Sequence, residues 1–431
     1  MTNIICAIFF VVLSGMAYKF YAQEYGYVRV PMHSDARMKC NGLELLVIFM
    51  YTTGLIGIMP VLSVRLAVLE VICVLGILKA TEKVELSAPL KIFLIFLSWL
   101  VIGIFYTPNF EFGIRMILKY IYPFLFCLFT SVVVSDKEVF LKCAFNARWA
   151  GLAAFIIAIT PGNFYIFRGV LWNNPAIVTN FICLCMFSLA MAYYASAKYR
   201  IKNILWTIFF ILPSFYWVIR TDIFGIGLAL STFFFLKYKF KALPLIAAVG
   251  CLGLAAMFYV PQVKAKMYYR PDEVTITDFL TGNVDENNIN TSGRKKGWED
   301  VQANFFENHE LTGSGTGRVQ TYFYTEVSGW QRGGQLHNDF LVLLCDNGLI
   351  GLLLFVIAYL AIALHCLIIY SRSESKIVQI CALTAGASLI GIMVTMYSDN
   401  TISYSMATLS YPWGFYGMAL GLSRKEKSSN D

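Results

Sequence analysis

Apolar runs, most of them long enough to cross a bilayer as a helix at roughly 17–25 residues, recur along the chain with short polar links between them. A single long polar stretch, from about 261 to 336, breaks this rhythm. The pattern predicts an all-α polytopic membrane protein of about thirteen spans: 3–22, 43–59, 61–78, 89–107, 113–134, 148–161, 176–197, 202–219, 222–237, 242–260, 349–370, 377–397 and 403–422. Pro60 and the Arg220–Thr221–Asp222 turn are the only punctuation within 43–78 and 202–237. The run from Ile4 to Ala17 has no basic residues before it and no clear small-x-small site after it, so it reads as a retained span and not as a removed signal peptide.

Charge then orients the spans. Lys19, the links at 23–42, 79–91, 135–148, 198–202, 237–241 and 371–376, and the tail from Arg424 alternate onto one side and hold 21 of the 34 lysines and arginines. That side is expected to be cytoplasmic, with the N-terminus outside and the C-terminus inside. The chain divides into a bundle over 1–260, an outward loop over 261–336, and C-terminal spans with an inner tail over 337–431. The loop carries eight basic and ten acidic residues and no long apolar run, so it is a small folded element between two spans.

Composition agrees. The chain is 58% hydrophobic and 14% charged, against about a quarter charged in soluble domains. The net charge of +8 is accounted for by membrane orientation and gives no reason to expect nucleic acid. The eleven cysteines are scattered through apolar runs and inner links, with no CxxC and no metal-like spacing, which suits packing and not a disulfide framework.

Five basic residues fall neither in the inner set nor in the loop: Arg65, Arg115, Lys119, Arg168 and Arg220. Four are arginines at or near outer ends of spans, where the positive-inside rule disfavours them. A planar fork of donors suits bidentate phosphate binding, so the bias points to an anionic ligand on the outer face. Each has a plain alternative. Arg220 could pair with Asp222 or reach to the interface. Arg168 lies in NFYIFRGVLWNNP, whose Trp172 and neighbouring rings form either an interfacial belt or a stacking surface for sugars, with Asn173 and Asn174 as hydrogen-bond donors and acceptors. In the loop, TGSGTGR (Thr312–Arg318) reads as a phosphate cradle or a plain turn, and it lacks the ending of a P-loop. Arg294, in TSGRKKGW, precedes a helix expected over Trp298–Phe306 and faces either a ligand or solvent.

The stretch HNDFLVLLCDNGLIGLLLF, His337–Phe355, stands where the loop returns to the membrane. Asn338 is a suitable N-cap and Asp339 suits the positive end of the helix dipole. The Asn347–Gly348 pair can end that short helix before the span proper. His337 is thereby placed at the membrane's lip beside a helix N-terminus.

His337–Asn338, nine residues, Gly348, two residues and Gly351 resemble the H-[NSQ]-x9-G-x2-G signature of the O-antigen ligase and polymerase superfamily. Ser292–Gly293–Arg294 with Trp298, and Arg168–Gly169 with Asn174–Pro175, are similar to further elements of that family in order. Where the family has Ser-Arg, this chain has Ile219–Arg220, keeping the arginine and losing the serine. The resemblance implies a fold like GT-C glycosyltransferases in the bacterial inner membrane. It implies a donor saccharide on undecaprenyl pyrophosphate, with no metal or other cofactor. His337 would then be catalytic, accepting the proton of the attacking hydroxyl, with Asp339 as the alternative base. Arg220, Arg294, Arg168 and Arg115 would bind pyrophosphate, and Asn338, Asp339, Trp172 and Asn174 would bind or orient sugar. The expected activity is polymerisation of lipid-linked repeat units into O-antigen, capsular polysaccharide or exopolysaccharide. The alternatives are ligation of polysaccharide to the lipid A core, or transport of a lipid-linked oligosaccharide. Beyond the lipid-linked saccharide and the bilayer, a chain-length regulator and a flippase are the partners such systems imply.

The charge census makes a direct prediction. In a chain otherwise free of cysteine, Lys239→Cys should resist a membrane-impermeant thiol reagent added from outside and react after permeabilisation. Labelling from outside in intact cells would overturn the orientation.

Overall fold

The computed structural model describes residues 27–29, 37–53, 62–159, 179–216, 218–285, 288–291, 293–327 and 335–430. Helices dominate. A short antiparallel ribbon, β1 (Tyr27–Arg29) with β2 (Arg37–Lys39), precedes α1 (Gly42–Thr53), α2 (Leu62–Lys79), α3 (Ala88–Ile104), α4 (Phe110–Val133), α5 (Lys137–Ile159), α6 (Asn180–Tyr194) and α7 (Ala197–Tyr216). Next come α8 (Arg220–Tyr238) and α9 (Leu243–Tyr259). The polar stretch forms α10 (Pro261–Met267), α11 (Ile276–Thr281), α12 (Arg294–Phe305) and α13 (Arg318–Thr321), the last running into a π-helical turn at Tyr322–Glu326. The chain ends with α14 (Asp339–Arg372), α15 (Lys376–Thr395), α16 (Ser405–Thr408) and α17 (Ser410–Asn430). Among the described residues, four helical stretches, Phe110–Val133, Arg220–Tyr259, Asp339–Arg372 and Lys376–Thr395, are long and apolar enough to cross a membrane. The protein is an all-α, multi-pass membrane protein. The expected span 3–22 lies outside the described residues.

The centre of the bundle is aromatic. Phe93 and Phe96 of α3, Tyr120 and Phe124 of α4, Phe355 and Tyr359 of α14 and Trp413 of α17 interlock with ring centroids 4.4–6.2 Å apart. Their offset and edge-on pairings suit the quadrupoles of the rings. On the other side, α8 crosses α15 at two glycines. A Cβ on Gly225 would come 2.9 Å from the Gly391 carbonyl oxygen, so only glycine lets these backbones approach. The described cysteines are unpaired thiols, all buried except Cys251.

The boundaries differ from the sequence reading in several places; the helix expected over Trp298–Phe306, for one, already begins at Arg294. The span expected over 148–161 begins at Lys137, because its charges find partners inside the bundle. Lys142 pairs with Glu44 at 2.7 Å, and Arg148 bonds Asn203 at 3.0 Å while lying over Phe145, Phe187 and Trp206. The span expected over 403–422 is divided into α16 and a later-starting α17. The short helix after Asn338 and the following span form one element, α14, broken in its backbone at Gly348 (φ 67°, ψ −172°).

The break at Gly348 has a visible cause. Gly348 sits against the backbone of Leu311 and Gly313, and the freed amides of Leu349 and Ile350 donate to the Glu310 and Leu311 carbonyls at 2.8 and 3.2 Å. The glycine-rich loop Thr312–Gly317 packs into this break. Its Ser314 and Gly315 amides donate to the Cys345 and Asp346 carbonyls, both at 2.9 Å, and the Thr316 amide donates to Gly103 of α3 at 3.1 Å. The buried Asp346 carboxylate accepts the Gly317 and Val319 amides, each at 2.8 Å. Of the two readings of TGSGTGR, the turn is the one observed. Its amides are taken up by α3 and by Asp346.

Gly348→Ala would place a side chain at positive φ and drive its Cβ into the Leu311 backbone. We expect a loss on the order of 1–3 kcal/mol, seen as a lower thermal midpoint and reduced yield of detergent-extracted protein. Gly351→Ala meets side-chain atoms of Asn347 and Trp99 instead and should cost less.

Candidate active site

Four segments converge at the end of the bundle that bears the 261–336 stretch: the starts of α8, α12 and α14, and the link between α15 and α16. Asn338 caps α14, its side chain accepting the Leu341 amide at 3.0 Å. His337, one residue earlier, has φ of +53°, an uncommon backbone for a residue with a Cβ. Several bonds hold that turn in place. The Trp298 indole of α12 donates to the Leu336 carbonyl at 2.7 Å, and the His337 amide donates to Asn400 Oδ1 at 2.9 Å. The Asp339 amide donates to the Met396 carbonyl at 2.8 Å, and its carboxylate accepts the Ile402 amide at 2.9 Å.

The imidazole of His337 keeps 37% of its side-chain exposure, open enough to meet a ligand. Its Nδ1 is 2.8 Å from Asn400 Nδ2 and 3.3 Å from Asp399 Oδ1. Arg294, the first residue of α12, donates to the Ser398 carbonyl one residue from Asp399. Burial lowers the pKa of this guanidinium and the Asp399 charge acts in the opposite direction, leaving it a fixed cation. Arg220, the first residue of α8, donates from Nη1 to the Lys266 and Asn290 carbonyls, both at 2.8 Å. It lies close enough to Arg294 for their like charges to oppose. Asp222, buried two residues into α8, accepts from the Thr179 hydroxyl at 3.1 Å. Two arginines, a histidine and carboxylates thus share one mouth. Such a cluster can hold a polyanion and meet a hydroxyl beside it.

The structure brings Arg220, Arg294 and His337 together. Asn338 and Asp339 stand with them, and the bonds they make are structural: one caps α14 and the other ties α14 to the 396–402 link. Arg115, on α4, is paired with Glu111 and lies 5.1 Å from the centre of the Phe112 ring. Arg168, Trp172 and Asn174 lie outside the described residues. Sequence reasoning missed Asp399 and Asn400, and gave Asp222 only as a possible partner of Arg220. The signal for the first two was the polar run Ser398–Asp399–Asn400 between two spans, which alternation puts on the side of His337.

The fold and this cluster define a polytopic helical membrane protein with a polar, arginine-bearing site at one end. Residues 207–356 match the O-antigen ligase family, a stretch that contains Arg220, Arg294 and His337. The match supports the O-antigen ligase and polymerase superfamily that the histidine motif suggested. No curated protein matches the chain.

Proposed function

We propose that this protein is a metal-independent glycosyltransferase of the bacterial inner membrane that polymerises lipid-linked oligosaccharide repeat units on the outer face. The donor is a saccharide on undecaprenyl pyrophosphate, and the product is O-antigen, capsular polysaccharide or exopolysaccharide. The observation that carries this reading is the convergence of Arg220, Arg294 and His337 at one mouth of the bundle, inside the stretch matching the O-antigen ligase family. The reaction needs little beyond position and charge. An acceptor hydroxyl bonds to the donor's anomeric carbon, the bond from that carbon to pyrophosphate breaks, and its electron pair leaves with the pyrophosphate. The hydroxyl proton passes to a base.

Each group in the cluster has a part in that scheme. Arg220 and Arg294 are fixed by backbone carbonyls before substrate arrives, so they present charge without reorganisation as the pyrophosphate departs. His337 is the catalytic residue at the reacting oxygens. Arg168 and Arg115 extend pyrophosphate binding, and Asn338, Asp339, Trp172 and Asn174 bind or orient sugar. The matched family's description as O-antigen ligase favours a second reading, transfer of finished polysaccharide to the lipid A core. Deleting the gene separates the two: single-unit material on a polysaccharide gel marks a polymerase, and uncapped core marks a ligase.

Arg220→Ala and Arg294→Ala should each lower product formation by about 10²–10³ while protein levels hold. Lysine should restore only part, because a point charge lacks the bidentate fork. Normal polymer from both alanine variants would reduce these arginines to interfacial anchors.

A further inference from the structure

Asn400 is buried and touches His337 twice, at the backbone and at the ring. Those two contacts fix each other. Asn400 Oδ1 accepts the His337 backbone N–H at 2.9 Å, and a backbone N–H can only donate. The atom turned to the ring at 2.8 Å is therefore the Asn400 amide nitrogen, which also can only donate. Nδ1 must then be the unprotonated nitrogen of the neutral ring.

The competing arrangement fails on the same count. Asp399 Oδ1 lies 3.3 Å from Nδ1 and already accepts the Asn400 backbone amide at 2.8 Å. For Nδ1–H to donate to it, the Asn400 amide would have to flip. Its NH2 would then face the His337 N–H, donor against donor, at the left-handed turn where that bond holds the backbone. The existing arrangement makes two good bonds and leaves one longer contact. The flipped one gives up the bond that holds the turn.

We infer that Asn400 is a positioning residue that holds neutral His337 with its proton on Nε2, so the ring meets the substrate as a hydrogen-bond donor. The inference rests on the proposed glycosyl transfer at this site and sharpens His337's part in it. An Nε2–H group suits the oxygen that gains negative charge as the anomeric bond breaks. The lone pair is on Nδ1, turned into the protein. The base that takes the acceptor's proton is then a group other than His337, and among the described residues Asp399 places a carboxylate 3.3 Å from the ring.

The test reads the tautomer directly. In full-length detergent-solubilised protein with 15N-labelled histidine, the His337 signals are assigned by their loss in His337→Gln. The pyridine-type nitrogen should be Nδ1 in the native chain. Asn400→Asp replaces the amide by a carboxylate that accepts from both the backbone and Nδ1–H, so the pyridine-type nitrogen should move to Nε2. Asp399→Asn should leave the native tautomer in place. A protonated Nδ1 in the native chain, or a tautomer that follows Asp399, overturns the inference.

Polymer formation gives the second readout. An amide can donate where Nε2–H did, so His337→Gln should retain activity within about tenfold of native, while His337→Ala loses about 100-fold or more. Equal loss in both variants would overturn the donor role. Full activity in His337→Ala would overturn the proposed reaction at this site and leave the tautomer result standing by itself.

Discussion

The arrangement of the site depends on one buried carboxylate and the backbone break beside it. Asp346 accepts the amides of Gly317 and Val319 at the end of the glycine-rich loop, and Gly348, two residues further on, bends α14 around that loop. In a low-dielectric interior an unpaired carboxylate would be costly, and two charge-assisted bonds to main-chain amides offset that cost. The Asn347 side chain donates to the Thr316 hydroxyl at 2.7 Å and the Trp99 indole donates to the Asn347 carbonyl at 3.0 Å, which ties α3 into the same joint. The second half of the histidine motif therefore has a structural meaning. Gly348 makes room for the loop, and Gly351 makes room for Trp99 of α3.

From that joint, constraint passes to the chemistry along short covalent paths. The glycine-rich loop follows α12 by a few residues, and Ser314 holds the end of α12 by donating to the Phe305 carbonyl at 2.6 Å. At its other end α12 carries Arg294 and Trp298, which grip the Ser398 and Leu336 carbonyls. His337 is thus held between two elements that are far apart in sequence. Arginines anchored on carbonyls and a histidine fixed at backbone and ring are preorganised, the condition under which fixed charge stabilises a departing anion best.

The bundle beneath supplies rigidity of another kind. Lipid tails are as apolar as leucine, so association of helices rests on close packing and interhelical bonds. The Gly225–Gly391 crossing and the ring cluster from Phe93 to Trp413 both give such packing. The crossing lies about one turn below Asp222 on one side and Thr395 on the other, so it sets the distance between the start of α8 and the 398–400 link.

Much was legible in the sequence. Length and run of apolar residues fixed the all-α membrane class, because a backbone in hydrocarbon must bond to itself within each segment. The spacing of His337, Asn338, Gly348 and Gly351 singled out the site's histidine, and the bias toward arginine outside the inner links singled out Arg220. What the sequence could not reveal was partnership. Nothing local in TGSGTGR tells a phosphate cradle from a turn, since the deciding group is Asp346, nearly thirty residues on. Likewise Lys142 and Arg148 read as a positive link until Glu44 pairs with the first, and Asn203 and three rings engage the second, inside α5's surroundings. Asp399 and Asn400 acquire meaning only when the turn after α15 folds back on His337. Hydrogen-bond donors and acceptors are chosen by tertiary contact, and so is the nitrogen of His337 that carries the proton.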